Sequence, residues 1–110
     1  MESVNCTLFY VIMDKVINMK HIFILKPDTS KSLINCIVTM MQGKHYELRY
    51  TKDLDDARKI ALSYQDEKEV CRLYAIGGDG FVHKVVNGMV GSFHELVVIP
   101  QGTGNDFARS

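Results

Sequence analysis

Short apolar runs alternate with amphipathic stretches along most of this chain, beginning near Met19. The apolar runs predict four strands, over residues 21–25, 46–50, 71–76 and 96–99. Apolar positions that recur at helical spacing predict three helices, over residues 30–42, 54–65 and 81–90. This βαβαβαβ order predicts a three-layer α/β/α domain, in which a parallel sheet is covered by helices on both faces.

Residues at the ends of these predicted helices support their placement. Thr29 or Ser30 can cap the first helix, and Gly43 follows its last apolar residue. Asp53, with Asp56 three residues later, resembles a capping arrangement for the second helix. In the third, the Asn87-Gly88 pair predicts a weakened last turn.

Composition limits the range of functions. A chain of 110 residues that is 46% hydrophobic and 24% charged fits one globular domain. The net charge is zero and the basic residues are scattered among acidic ones, so we expect no nucleic-acid partner.

Cysteine and histidine positions give no sign of a metal site. Three cysteines lie far apart without a Cys-x-x-Cys pair, a pattern that predicts no zinc site and favours a reducing cytoplasm. The four histidines show no metal-ligand spacing, and we expect them to be ordinary surface or boundary residues. The apolar run over residues 8–13 is too short to span a bilayer, so no transmembrane segment is predicted.

Two glycine-rich segments are the main chemical signal. Each follows an apolar strand-like run and opens onto a helix-like stretch: residues 76–80 read Ile-Gly-Gly-Asp-Gly and residues 100–106 read Pro-Gln-Gly-Thr-Gly-Asn-Asp. Glycine lets the backbone approach an oxyanion, and the N–H groups of a helix's first turn attract negative charge. Because both loops follow strands of a parallel sheet, they should meet at one edge, where ligands bind. The pair therefore predicts a nucleotide-binding domain.

Several other residues are candidates at this edge. Asp79 is a candidate ligand of Mg²⁺ or of its waters, or else a helix cap. Thr103 can donate its hydroxyl to a phosphate, whereas Asn105 and Asp106 can contact phosphate or brace the loop. Thr51 follows the second predicted strand and residues 26–30 follow the first, so both should lie at the same edge. The predicted nucleotide-binding set is Lys26, Pro27, Asp28, Thr29, Ser30, Thr51, Gly77, Gly78, Asp79, Gly80, Phe81, Lys84, Gly102, Thr103, Gly104, Asn105 and Asp106.

From about residue 20 to residue 110 the sequence resembles the catalytic domain of diacylglycerol kinases, with related bacterial lipid kinases and sphingosine kinases. The resemblance rests on both glycine segments, on the Val-Val-Asn-Gly at residues 85–88, on Phe107-Ala108-Arg109 and on the Thr-Lys-Asp-Leu-Asp-Asp-Ala at residues 51–57. It implies a fold like that of NAD kinases and phosphofructokinases. It also implies ATP and Mg²⁺ as cofactors and transfer of the γ-phosphate to a lipid hydroxyl, as in diacylglycerol.

The chain departs from the family pattern at several positions. Phe81 stands where the family usually has threonine, and Lys84 stands where it has glutamate. The first loop reads Lys26-Pro27 where Asn-Pro is usual, and no glycine follows Ser30. These departures leave open a degenerate module that binds nucleotide or dimerises without catalysis. A fragment of an NAD kinase relative is a further alternative.

The resemblance also bears on domain organisation. Residues 1–18 form an N-terminal extension of uncertain role, and residues 19–110 correspond to the nucleotide-binding half. Family members continue into a mainly β domain that brings the catalytic carboxylate, so we expect this chain to be truncated and inactive as a lipid kinase. A surface that the second domain would cover predicts a homo-oligomer. The resemblance leaves peripheral membrane contact open.

Overall fold

The computed structural model describes residues 19–100 of the chain. Four strands and three helices alternate: β1 (Lys20–Leu25), α1 (Lys31–Met41), β2 (Tyr46–Tyr50), α2 (Leu54–Leu62), β3 (Cys71–Ile76), α3 (Asp79–Gly88) and β4 (Glu95–Ile99). The strands form one sheet in the order β2-β1-β3-β4, and every pairing is parallel. The predicted three-layer α/β/α fold with a parallel sheet is confirmed.

The two faces of the sheet bury separate apolar clusters. Ile22, Ile24 and Leu73 point to the face that α2 and α3 cover. Phe23 and Leu25 point to the other face, which α1 covers through residues such as Ile37. The central strands β1 and β3 are therefore apolar on both sides, which explains why they read as continuous apolar runs rather than as alternating ones.

The helix ends differ from the predicted ones by a few residues. Ser30 is the N-cap of α1, since its hydroxyl accepts a hydrogen bond from the Leu33 N–H at 3.1 Å. The end of α2 is Leu62 rather than residue 65, because the chain tightens there into short-range bonds such as Tyr64 N–H to Ala61 O, at 3.2 Å. Helix α3 begins at Asp79, two residues earlier than predicted.

Gly88, predicted to weaken the last turn, is the last residue of α3 and also has a packing role. It is buried where α3 crosses α2, and a Cβ atom at this position would overlap the carbonyl oxygen of Arg58 and lie 2.8 Å from the Ala61 Cβ. The absence of a side chain therefore sets how closely the two helices approach.

Two of the histidines are buried, which corrects the expectation that all four are surface or boundary residues. His94 Nδ1 accepts a hydrogen bond from the Cys71 N–H at 2.9 Å, and its Nε2 lies 2.7 Å from the Tyr64 carbonyl oxygen. This imidazole ties the start of β3 to the turn that follows α2. His21 Nδ1 lies 2.9 Å from the hydroxyl of Tyr74, whose ring stacks on Phe23.

The burial of His21 predicts acid sensitivity. Burial lowers the pKa of His21 to about 4, with smaller contributions from the charges of Arg72, Lys44 and His45. The ordinary pKa of histidine is about 6.5. Between pH 6.5 and pH 4, His21 is therefore protonated in the unfolded chain but stays neutral in the folded one. Above pH 6.5, His21 causes no loss of stability. As the pH drops to 4, we expect its titration to lower the free energy of unfolding by about 3 kcal/mol.

Urea unfolding at pH 7, 5.5 and 4.5 measures this effect. The control is His21→Gln, which carries no charge at any pH and keeps an acceptor for the Tyr74 hydroxyl. The variant should lose less stability than the parent over this range, since the contribution of His21 is then absent. Equal slopes for the two proteins would contradict the assignment.

Candidate functional site at the carboxyl edge of the sheet

All four strands end level with one another. Leu25 pairs with Tyr50 on one side and with Ile76 on the other, and Ile76 pairs with Ile99. Two further backbone bonds continue this edge, from Thr51 N–H to Leu25 O at 2.8 Å and from Gly77 N–H to Ile99 O at 3.2 Å. We call this edge the rim, and it comprises residues 26–30, 51–53, 77–80 and 100.

The rim brings together three of the four loops that the sequence assigned to the nucleotide site. The fourth loop, with Gly102, Thr103, Gly104, Asn105 and Asp106, lies outside the described residues. Pro100, the residue directly before this segment's Gln101, lies at the rim.

The first rim loop is closed on itself. Thr29 is buried, and both its hydroxyl and its N–H donate to the Lys26 carbonyl oxygen, at 2.7 and 3.1 Å. The Ser30 hydroxyl is engaged as the cap of α1. Lys26, Pro27 and Asp28 are exposed, as is Ser30, so these are the side chains that a ligand on the rim would meet.

In the second rim loop, two carboxylates lie at the N-terminus of α2. Thr51 is buried beneath the loop, with 5% of its surface exposed. Asp53 Oδ1 accepts from the Asp56 N–H, and Asp56 Oδ2 accepts from the Lys52 N–H, both at 2.9 Å. These carboxylates confirm the predicted capping arrangement and occupy the N-terminus of α2.

The third rim loop contains the first glycine segment, in which the three glycines have different roles. Gly77 is buried, and a Cβ atom there would lie only 2.8 Å from Cγ of Phe81. Around Gly78 and Gly80, no heavy atom of the surrounding described residues lies within 4 Å of the Cβ position. The fold therefore requires Gly77, whereas glycine at the other two positions keeps open the space outside the helix.

Helix α3 differs from the other two helices at its N-terminus. Its N-cap is Gly78, and no side chain among residues 19–100 caps it, whereas Ser30 caps α1 and Asp53 caps α2. The positive end of the α3 dipole and its first N–H groups thus face the rim without a side-chain acceptor at the cap. Such an N-terminus next to open glycine positions can accept a phosphate oxygen.

The side chains of Phe81 and Lys84, both in the predicted nucleotide-binding set, contact other parts of the protein. The Phe81 side chain is 3% exposed and packs in the core between the sheet, α2 and α3, so only its backbone remains available in the first turn. Lys84 Nζ lies 3.5 Å from Asp55 Oδ1, in an ion pair between α3 and α2.

The carboxylate of Asp55 contacts two cationic side chains, those of Lys84 and Arg58. Arg58 donates to both of its carboxylate oxygens at 3.1 Å. The bonds from Arg58, and secondarily the charge of Lys84, hold the pKa of Asp55 below its ordinary value. Asp55 could not be singled out from the sequence, because only the tertiary structure shows that α2 and α3 lie side by side.

A magnesium site at the rim would depend on Asp79. This residue is exposed in the first turn of α3. Within residues 19–100, no three His, Cys, Asp or Glu side chains cluster in a way that could hold a metal ion. Magnesium often binds through one or two carboxylates together with substrate phosphates, and a single carboxylate beside an open helix N-terminus fits that mode.

Comparisons with known proteins agree with this architecture. Residues 27–110 match the family model of the diacylglycerol kinase catalytic domain. A solved structure of a diacylglycerol kinase from Bacillus anthracis str. Sterne is 26% identical, with a TM-score of 0.59, over 82% of this chain and 35% of that one. A second structure from the same organism gives the same identity and TM-score over 33% of its length. A search of curated proteins gives no match.

This chain thus spans about one third of the length of those solved proteins. In the part of the chain that the structure describes, no helix is long and apolar enough to cross a membrane. The family match covers the rim loops from Pro27 onward, including both glycine segments. With more than half of its residues in that match, the chain belongs to the diacylglycerol kinase catalytic domain family.

Proposed function

We propose that this chain is the ATP-binding half of a lipid kinase that transfers the γ-phosphate of ATP to a lipid hydroxyl, such as that of diacylglycerol. One observation carries the proposal: within the described part of the chain, the N-terminus of α3 has no side-chain cap, and it lies at the rim beside the open positions of Gly78 and Gly80. Membership of the family supports the same reaction class.

The residues of this chain bind and orient the phosphates. N–H groups in the first turn of α3 donate to phosphate oxygens, and the helix dipole stabilises their charge. Asp79, in that turn, is the residue that would hold Mg²⁺ or its waters. When bound, Mg²⁺ neutralises charge that develops on the transferred group. The second glycine loop, with Thr103, completes the proposed phosphate site.

The lipid hydroxyl that accepts the phosphate would bind outside the residues of this chain. The chain spans about one third of the solved relatives, and the described rim has no candidate general base besides the exposed carboxylates. We therefore propose that a second domain binds the lipid and provides the carboxylate that accepts the proton. We also propose that the chain acts in the cytoplasm.

A non-catalytic binding module that forms homo-oligomers is the second candidate. It is favoured by the exposed apolar side chains Val90, Phe93 and Val98, which are 70%, 55% and 47% exposed on and near β4. It is also favoured by the burial of Phe81, where the family pattern has a hydroxyl. An NAD kinase fragment has no such support, since the matches are to diacylglycerol kinases.

Calorimetric titration with ATP, with and without Mg²⁺, tests the first proposal. The parent chain should bind saturably, and Gly78→Val should raise the dissociation constant at least about tenfold by filling the space outside α3. The backbone of Gly78, at φ −86° and ψ −172°, is extended, so valine fits there without strain. Asp79→Asn should reduce the gain in affinity that Mg²⁺ provides.

The matched control is Asp66→Asn, the same change at an exposed position beyond the end of α2. It should bind as the parent does. Absence of saturable binding at millimolar ATP, in a protein that circular dichroism shows to be folded, would overturn the proposal and favour the binding module. Unchanged binding by Gly78→Val would place the phosphates elsewhere.

A further inference from the structure

The ion pair between Lys84 and Asp55 lies close to the proposed phosphate site. The strands that precede α2 and α3 end level, and the two helices begin four and three residues beyond those ends. Asp55 is the second residue of α2, so an ammonium 3.5 Å from it lies near the rim. A lysine side chain on a helix also extends toward the N-terminus of that helix, which for Lys84 is the uncapped end of α3.

Asp55 holds Lys84 less firmly than it holds Arg58. Arg58 makes two hydrogen bonds to the carboxylate at 3.1 Å, one to each oxygen, whereas the Lys84 ammonium is 3.5 Å from a single oxygen. If Lys84 leaves, Asp55 keeps a bidentate cationic partner. Both side chains are also partly exposed, at 34% for Lys84 and 43% for Asp55, so water can replace the lost contact.

We propose that Lys84 is a phosphate-binding residue that Asp55 holds in the free protein and that moves to the nucleotide's phosphates when these bind. Asp55 then acts as a competitor that lowers nucleotide affinity. The inference rests on the function proposed above. It also gives the lysine a role at a position where the family pattern has glutamate, since a glutamate here would face the carboxylate of Asp55.

Binding of MgATP and of inorganic tripolyphosphate to a set of variants tests the inference. Lys84→Met should weaken both by about threefold to tenfold, and Lys84→Arg should restore most of the affinity. Asp55→Asn should strengthen both by about twofold to fivefold, because it frees the ammonium. The control Lys59→Met removes the same charge from an exposed position in the last turn of α2 and should change little.

The double variant separates competition from a general charge effect. In the Lys84→Met background, Asp55→Asn should give no gain, since the ammonium that it would free is absent. A gain that persists would mean that Asp55 merely repels the anion, and this would overturn the inference. So would weaker binding by Asp55→Asn alone, which would mean that the pair only positions the helices.

Failure of the proposed function gives a different result. If the folded parent binds neither MgATP nor tripolyphosphate, the function and the inference both fall. If the parent binds both ligands but Lys84→Met binds them equally well, only the inference is overturned.

Discussion

Gly88→Ala is expected to lower the free energy of unfolding by about 2 to 3 kcal/mol, although alanine is the better helix former. The added methyl group would overlap the Arg58 carbonyl oxygen and lie 2.8 Å from the Ala61 Cβ. A backbone oxygen in a helix cannot rotate away, so α2 and α3 must separate and lose contact over the core that both helices cover.

A second glycine in the same helix provides the control. Gly80→Ala introduces a methyl group where no surrounding atom of the described residues lies within 4 Å, and we expect it to raise stability by about 0.5 kcal/mol. Urea unfolding followed by circular dichroism measures both variants. If both variants stabilise the protein, the close approach of α2 and α3 is not a real constraint.

Phe81→Ala is expected to lower stability by about 3 to 4 kcal/mol, because the ring is buried in the core on the α2 and α3 face. Gly77→Ala alone should lower it by about 2 kcal/mol, since the new methyl group would lie 2.8 to 2.9 Å from three atoms of Phe81. In the Phe81→Ala background the same glycine change should be much milder, because the ring atoms are gone and the remaining Cβ can shift.

This double-mutant cycle decides what the first glycine of the segment is for. Coupling of about 1 kcal/mol or more between the two positions would show that packing against Phe81 requires Gly77. Strictly additive effects would argue against that packing. They would favour the alternative, that Gly77 contacts the ligand directly. Nucleotide titration of Gly77→Ala, at a temperature where the variant is folded, provides the independent measurement.

The fold could be predicted from the sequence because its signals are local. β1 and β3 are buried on both faces and contain continuous apolar runs, at residues 22–25 and 73–76, and the caps at Ser30 and Asp53 mark where helices begin. What the sequence did not reveal concerns contacts between distant elements. Gly88 reads as a weak helix end until α2 is known to lie against it, and the burial of His21 depends on Tyr74 two strands later in the chain.

The candidate site was predictable only in outline. Alternation of strands and helices places the loops on one edge, since parallel strands all end there. The division of roles within the glycine segment was not visible, because it depends on the direction in which the Phe81 ring points. The pairing of Lys84 with Asp55 was equally hidden, since the two residues lie on different helices.

The order β2-β1-β3-β4 also has a kinetic consequence. β1 is the first described strand in the chain, yet it lies inside the sheet and pairs with β2 and β3. During synthesis it must wait until residue 71 has emerged before its second edge can be covered. Parallel pairing across such long connections is slow compared with hairpin formation. We therefore expect the nascent chain to be most prone to aggregation before β3 is complete, when an apolar strand has one edge unpaired.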